Sequence, residues 1–261
     1  MKKIPISPSL DRVPSELRTL MEGVPLYDSS CSPEARVILI DRDGGYFLKC
    51  ASRGSLASED TMTRYFHRKG LGTEVLLYQS AEEDWLLTRR VRGEDCTHTR
   101  YVEDPERLCD TVATLLRQLH ETDFSDCPVQ NRNESYFATA EKNHALGRYD
   151  ASLFCGDWQF SSSDEAWVVA QQGKQYFQSN VLLHGDYCLP NVILEDWHLS
   201  GMIDLGNGGV GERHIDLFWG IWTLWFNLKT DRYSGRFLDA YGRDLAEPEM
   251  LRSIAAFEVF G

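Results

Sequence analysis

A chain of 261 residues, 42% hydrophobic and 26% charged, can bury a sizeable core and is expected to form one or two globular domains. Its formal net charge of −13 argues against nucleic acid as a partner. The densest apolar run, residues 217–226, is about half a bilayer span, and the opening MKKIPISPSLDRVP lacks the apolar stretch of an export signal, so a cytoplasmic protein without membrane contact is expected. The seven Cys are odd in number and contain no C-x-x-C pair, which suits reduced thiols.

In chain order, residues 1–30 are polar and proline-punctuated, with a short helix over 15–21 and a strand. Residues 36–41 and 45–50 form two strands around the turn Asp43-Gly44-Gly45. A helix over 58–69 stops at Gly70, and two further strands cover 74–79 and 85–88. Gly93 breaks the pattern. Residues 105–120 form a helix with a stripe of Leu108, Val112, Leu115, Leu116 and Leu119. Residues 131–178 read as mostly helical, with a loop around 161–164. A buried strand over 181–184, a hairpin of 191–194 and 199–203, and two or three helices over 216–260 complete the chain. The prediction is a strand-rich N-terminal lobe over 1–92, a hinge near 88–93 and a mainly helical C-terminal lobe over 93–261. The first lobe carries 14 Lys and Arg against 13 Asp and Glu, the second 13 against 27. A near-neutral half suits a triphosphate and an acidic half a cationic small molecule.

The most informative residues are His184-Gly185-Asp186, Asn191 and Asp204, each bordering an apolar run. Phosphoryl transfer needs an acid at the acceptor hydroxyl, oxygen ligands for hard Mg²⁺, and a lysine on the phosphates held by a second acid. Asp186 fits the first role, and Asn191 and Asp204 the second. Lys49, ending the run Tyr46-Phe47-Leu48, and Glu59, ten residues on at the start of a helix, fit the third. His184 reads as a loop-stabilising residue, and Cys188 as a thiol without a base arranged to activate it.

With these segments the chain resembles the antibiotic kinases, most closely the aminoglycoside 3′-phosphotransferase family. The likeness is carried by Cys31-Ser-Pro-Glu-Ala-Arg-Val37, Phe47-Leu-Lys49, Glu59-x2-Met62-x2-Tyr-Phe66, Leu115-Leu-Arg-Gln-Leu-His120, His184-Gly-Asp-Tyr-Cys-Leu-Pro-Asn191, Ile203-Asp-Leu-Gly206 and Asp216. The resemblance implies an α+β, two-lobed protein-kinase-like fold, with an N-terminal antiparallel sheet and one helix and a mainly helical C-terminal lobe. It implies Asp186 as catalytic base, Asn191 and Asp204 as Mg²⁺ ligands, and Lys49 with Glu59 as the clamp on the phosphates of ATP or GTP. Phe47 would stack on the nucleobase, the backbone near Arg89 and Val91 would read its edge, and Ser32 would cover the phosphates.

Departures from the family pattern fall on the acceptor side. Asp157 matches an acidic substrate-binding segment, but an expected acid is Gln159. Leu189 and Asn207 replace residues that are often charged. The helix from Asp216 carries Phe218, Trp219, Trp222, Trp225, Phe226 and Asn227, either as a core helix aromatic on all sides or as a wall of the substrate pocket. Glu258 matches a terminal substrate-binding residue, with Phe257 in place of an adjacent acid. The expectation is therefore a Mg²⁺- and nucleotide-dependent kinase of an aminoglycoside hydroxyl, with Asp157, Asn227 and Glu258 as acceptor contacts. A kinase of another small hydroxylated metabolite or antibiotic is one alternative, and a nucleotide-binding module without catalysis is another.

Overall fold

The structure, a computed structural model, describes residues 3–154, 158 and 160–261. The strands are β1 (Ile4–Ile6), β2 (Leu26–Asp28), β3 (Ala35–Ile40), β4 (Tyr46–Ser52), β5 (Val75–Ser80), β6 (Glu83–Arg89), β7 (Glu94–Asp95), β8 (Val181–Leu183), β9 (Val192–Glu195), β10 (His198–Met202) and β11 (Gly209–Gly211). The helices are α1 (Ser15–Met21), α2 (Ala57–Arg68), α3 (Thr99–Val102), α4 (Pro105–His120), α5 (Arg132–Ala145), α6 (Ser163–Gly173), α7 (His214–Leu228), α8 (Ser234–Tyr241) and α9 (Pro248–Glu258). Among the described residues no helix is long and apolar enough to cross a membrane.

The chain divides into two compact units, Met1–Asp95 with Val192–Gly206, and Cys96–Asn191 with Asn207–Gly261. The first holds a six-stranded antiparallel sheet of order β1-β2-β3-β4-β6-β5. The two-residue period of β4 turns Tyr46, Leu48 and Cys50 toward a core shared with Leu17 and Met21 of α1. Phe47, Lys49 and Ala51 take the other face, where Ala51 packs with Leu56 and Leu86. A second sheet, β10-β9-β7, explains why residues 192–206 belong here: Glu94 and Asp95 pair with Leu194 and Ile193. Gly93, at φ 93°, lets the chain pass the Leu194 carbonyl, where any Cβ would collide with backbone. A boundary at 92/93 does not anticipate this return, because a two-residue strand has no periodicity of its own.

The second unit is built on α4. Asp104 caps it with its carboxylate on the Arg107 amide (3.3 Å), Pro105 opens it, and Leu108, Val112, Leu116 and Leu119 are buried. It packs on α7, α8 and β8, while α9 packs on α6 and α7. β8 pairs with β11 in a two-stranded antiparallel sheet. The predicted loop at 161–164 holds for Ser161 and Ser162, but Ser163 and Asp164 begin α6, which Ser162 caps by accepting from the Glu165 amide at 3.1 Å. Helix α7 is also not aromatic core on all sides. Phe218 and Leu224 are buried, but Trp225 and Phe226 are 41% and 46% exposed.

Candidate active site

In the first unit β4 delivers Lys49 and the N-terminal part of α2 delivers Glu59. The Lys49 ammonium donates to Glu59 Oε2 at 2.8 Å, Glu59 Oε1 at 3.0 Å and Asp204 Oδ1 at 3.0 Å. The turn after β10 is fastened to α2, because Ser58 Oγ donates to the Gly206 carbonyl at 2.8 Å. Asp204 itself has φ 58°, a left-handed conformation that costs a non-glycine residue energy and marks a position held for its side chain. Burial would discharge Lys49, but the carboxylates of Asp204 and Glu59 outweigh it and raise its pKa above the ordinary lysine value. Burial pushes the Glu59 carboxyl up, against the pull of the ammonium.

The other expected nucleotide contacts lie in the same unit. Phe47 is half-buried on β4, and Ser32 is exposed between β2 and β3 with its hydroxyl bonded to the Glu34 carboxylate. Arg89 has its amide donating to the Glu74 carbonyl at 3.0 Å, and its own carbonyl accepts from Thr73 Oγ1 at 2.5 Å. Val91 packs its side chain toward Gly201.

In the second unit the loop after β8 holds Asp186. Asn191 Nδ2 donates to Asp186 Oδ2 at 2.9 Å and to the Asp186 carbonyl at 3.0 Å. Both of these oxygens can only accept, so the amide must present NH₂ to Asp186, which leaves the Asn191 carbonyl oxygen as the atom able to bind a cation. The loop is anchored from below by Asp216, fully buried near the start of α7. Its carboxylate accepts from the His184 amide at 2.8 Å, from the Gly185 amide at 2.7 Å and from His120 Nε2 at 3.2 Å. Burial holds His120 below the ordinary histidine value against the pull of Asp216, so its neutral ring donates to Asp216 and accepts the Tyr241 hydroxyl at 2.8 Å. His184 is fully buried, and its Nδ1 accepts from the Asp186 amide at 3.3 Å, a loop-stabilising contact. Burial, with Asp186 beside it, pushes the Cys188 thiol far up, so it is no nucleophile at neutral pH.

On the acceptor side, Glu258 is buried and its Oε1 accepts from Tyr136 OH at 2.9 Å and Trp219 Nε1 at 3.1 Å. Burial raises its pKa to about 8, with Tyr136, Trp219 and Arg132 pulling down and Asp186 pushing up. Asn227 donates to the Thr223 carbonyl at 2.8 Å on its own helix. Trp222 stacks on Phe226 with centroids 4.8 Å apart, and Trp219 meets Trp222 edge-on at 5.4 Å. Asp157 and Gln159 lie outside the described residues. The contacts made by His120, Tyr136, Trp219 and Asp216 have no local signal in the sequence, since each is made across 30 or more positions.

Among the described residues no cluster of three or more His, Cys, Asp or Glu is arranged to hold a metal. The oxygen donors available are the Asp204 carboxylate, half-exposed beyond its bond to Lys49, and the Asn191 amide oxygen. Both are hard donors of the kind Mg²⁺ takes.

Residues 29–252 match the model of the phosphotransferase enzyme family. The chain is 43% identical over 254 residues to a probable aminoglycoside 3′-phosphotransferase of Lactococcus lactis subsp. lactis (strain IL1403), covering 97% of each chain. It is 29% identical over 177 residues to an aminoglycoside 3′-phosphotransferase of Niallia circulans, covering 68% of this chain and 67% of that one. The fold matches the crystal structure of an aminoglycoside-3′-phosphotransferase of type VIII with a TM-score of 0.72 at 23% identity, over 90% of this chain and 91% of the other. The architecture is thus the protein-kinase-like α+β fold of the aminoglycoside phosphotransferases.

Proposed function

This chain belongs to the phosphotransferase enzyme family, and from that premise we infer that it is a kinase moving the γ-phosphoryl group of ATP or GTP to a hydroxyl of an aminoglycoside. The observation that carries the reading is the Lys49 ammonium held by two carboxylates, Glu59 and Asp204. A cation kept charged and oriented in this way is suited to nucleotide phosphates. The first unit takes the nucleotide: Lys49 on the phosphates, Glu59 holding Lys49, Ser32 over the phosphates, Phe47 against the base. The base edge meets backbone near Val91, since the Arg89 amide and carbonyl already have partners.

The second unit takes the acceptor. Asp186, steadied through Oδ2 by Asn191, orients the hydroxyl and accepts its proton as the phosphorus–oxygen bond forms. The Asp216 anchor fixes the loop backbone, so the carboxylate is pre-positioned before substrate arrives. Mg²⁺ would be held by Asp204 and the Asn191 oxygen, and when bound it neutralises phosphate charge. Asp157 and Glu258 meet ammonium groups of the acceptor, and Asn227 offers it a carbonyl oxygen. The exposed Trp225 and Phe226 favour a second reading in which the acceptor is a less polar hydroxylated antibiotic such as a macrolide.

A coupled assay with ATP and GTP across kanamycin- and neomycin-type compounds and a macrolide separates the readings. Turnover with an aminoglycoside is expected. Turnover with the macrolide alone would reject the substrate assignment, and no transfer to anything would reject the enzyme. Asp186→Ala should lower kcat by at least roughly 10²-fold. A near-normal rate would remove Asp186 from the mechanism.

A further inference from the structure

Arg132, at the start of α5, is a cation that the chemistry above leaves unused. Its Nη1 donates to Ser135 Oγ at 2.9 Å and its Nη2 to Asn207 Oδ1 at 2.5 Å. Both acceptors are neutral. Burial lowers its pKa, and Glu258 and Tyr136 act on it through space in the other direction. A guanidinium stays charged regardless. A half-buried charge whose hydrogen-bond acceptors are both neutral keeps the capacity to bind an anion.

Its location says which anion. Asn207 lies against Gly185 so closely that a Cβ there would overlap the Asn207 carbonyl and come within 2.7 Å of its Cβ. Gly185, at φ 83°, tolerates this contact and leads directly into Asp186. Arg132 therefore reaches the catalytic loop through one intervening side chain. From the other direction, Asp186 and Arg132 both act through space on the Glu258 carboxyl group. All of these residues lie in one compact unit. A phosphoryl group presents oxygens matched to the planar set of N–H donors of this guanidinium.

We propose that Arg132 binds an oxygen of the phosphoryl group in transit at Asp186, supplying positive charge from the acceptor-side unit. The inference rests on the phosphoryl-transfer reading above. Arg132 gives and takes no proton: the bond from phosphorus to the nucleotide's bridging oxygen breaks, the bond to the acceptor oxygen forms, and the acceptor proton goes to Asp186. Its contribution is to stabilise charge spread over the phosphoryl oxygens.

The test compares wild type with Arg132→Gln and Arg132→Lys. Gln keeps hydrogen-bonding capacity toward Ser135 and Asn207 and loses the charge, while Lys keeps the charge and loses the planar geometry. Removing one such donor should lower kcat roughly 10²- to 10³-fold in Gln and less in Lys, with the acceptor KM and the Tm near wild type. Binding of ADP with aluminium fluoride, a mimic of the phosphoryl group in transit, should weaken in parallel with kcat while binding of ADP alone is unchanged. A kcat within about threefold of wild type in both variants, or equal weakening of ADP with and without fluoride, overturns the proposal. The mimic needs no acceptor, so it decides the role of Arg132 even where the acceptor assay rejects an aminoglycoside. If Arg132→Gln melts early, Arg132→Lys is read alone by the same two ratios.

Discussion

Glu258 carries a charge problem that makes it a reporter. Its carboxyl is raised to about 8, chiefly by burial, whereas an unfolded glutamate titrates near its ordinary value of about 4.3. A folded-state pKa above the unfolded one favours the folded state while the group is protonated. That contribution is complete below the unfolded value and is lost as pH climbs toward 8. Glu258→Gln removes the titration yet still offers an oxygen to Tyr136 and Trp219. Melting curves from pH 5 to 9 should show the variant gaining on the wild type as pH rises, and parallel curves would contradict the shifted carboxyl. A cationic ligand favours the carboxylate form, so acceptor binding by the wild type should release a proton below pH 8. Little of this could be read in the sequence. Glu258 is legible as a candidate contact, but its burial comes from the folded core, and two groups that oppose its neutralisation, Tyr136 and Trp219, lie 122 and 39 positions away.

Among the elements, the coupling of α7 to the loop after β8 has the largest consequence. Asp216 satisfies two backbone amides and a buried histidine at once. Asp216→Ala leaves these donors without an acceptor in a dry site, at about 1–3 kcal/mol each. The expected result is a fall in denaturation midpoint together with a kcat loss that aligned Asp186 geometry would otherwise prevent. A variant with native stability would show that the loop holds itself. The elements themselves were legible where local signals agree. Helix α4 has its cap at Asp104, Pro105 at its first turn and a buried stripe, and its bounds at 105 and 120 match the expectation. Strands β7 and β11 were not legible, because two or three residues take their conformation from the partner strand. The boundary between loop and α6 within 161–164 is not legible, because serines and an aspartate suit both a loop and a helix cap, and only the Ser162 bond to Glu165 sets the helix start at Ser163. The Lys49 ammonium meets both Glu59 and Asp204, and its bond to Asp204, 155 positions on, has no local signal in the sequence. The tie between Arg132 and Asn207 spans 75 positions, and no periodicity announces it.

For the molecule as a whole, charge distribution matters more than net charge. Residues 93–261 carry 13 basic and 27 acidic side chains, and residues 1–92 are nearly balanced. Exposed charges act over about 10 Å at 0.1 M salt and about 3 Å at 1 M. The apparent affinity for a polycationic acceptor should therefore weaken several-fold between those conditions, while that for the nucleotide changes less. An acceptor KM insensitive to salt would mean that only short, desolvated contacts select the substrate.

The return of Val192–Gly206 to the first unit has a consequence for synthesis. A ribosome releases the chain from its N-terminus, so the six-stranded sheet is complete once β6 has emerged. The strand that pairs with β7, and Asp204 itself, follow about a hundred residues later, a delay of roughly 5–20 s at typical elongation rates. During that interval Lys49 has Glu59 and not Asp204. Translation therefore supplies all six strands of the sheet first, and the last member of the lysine site only after β8, the Asp186 loop and the β9–β10 hairpin.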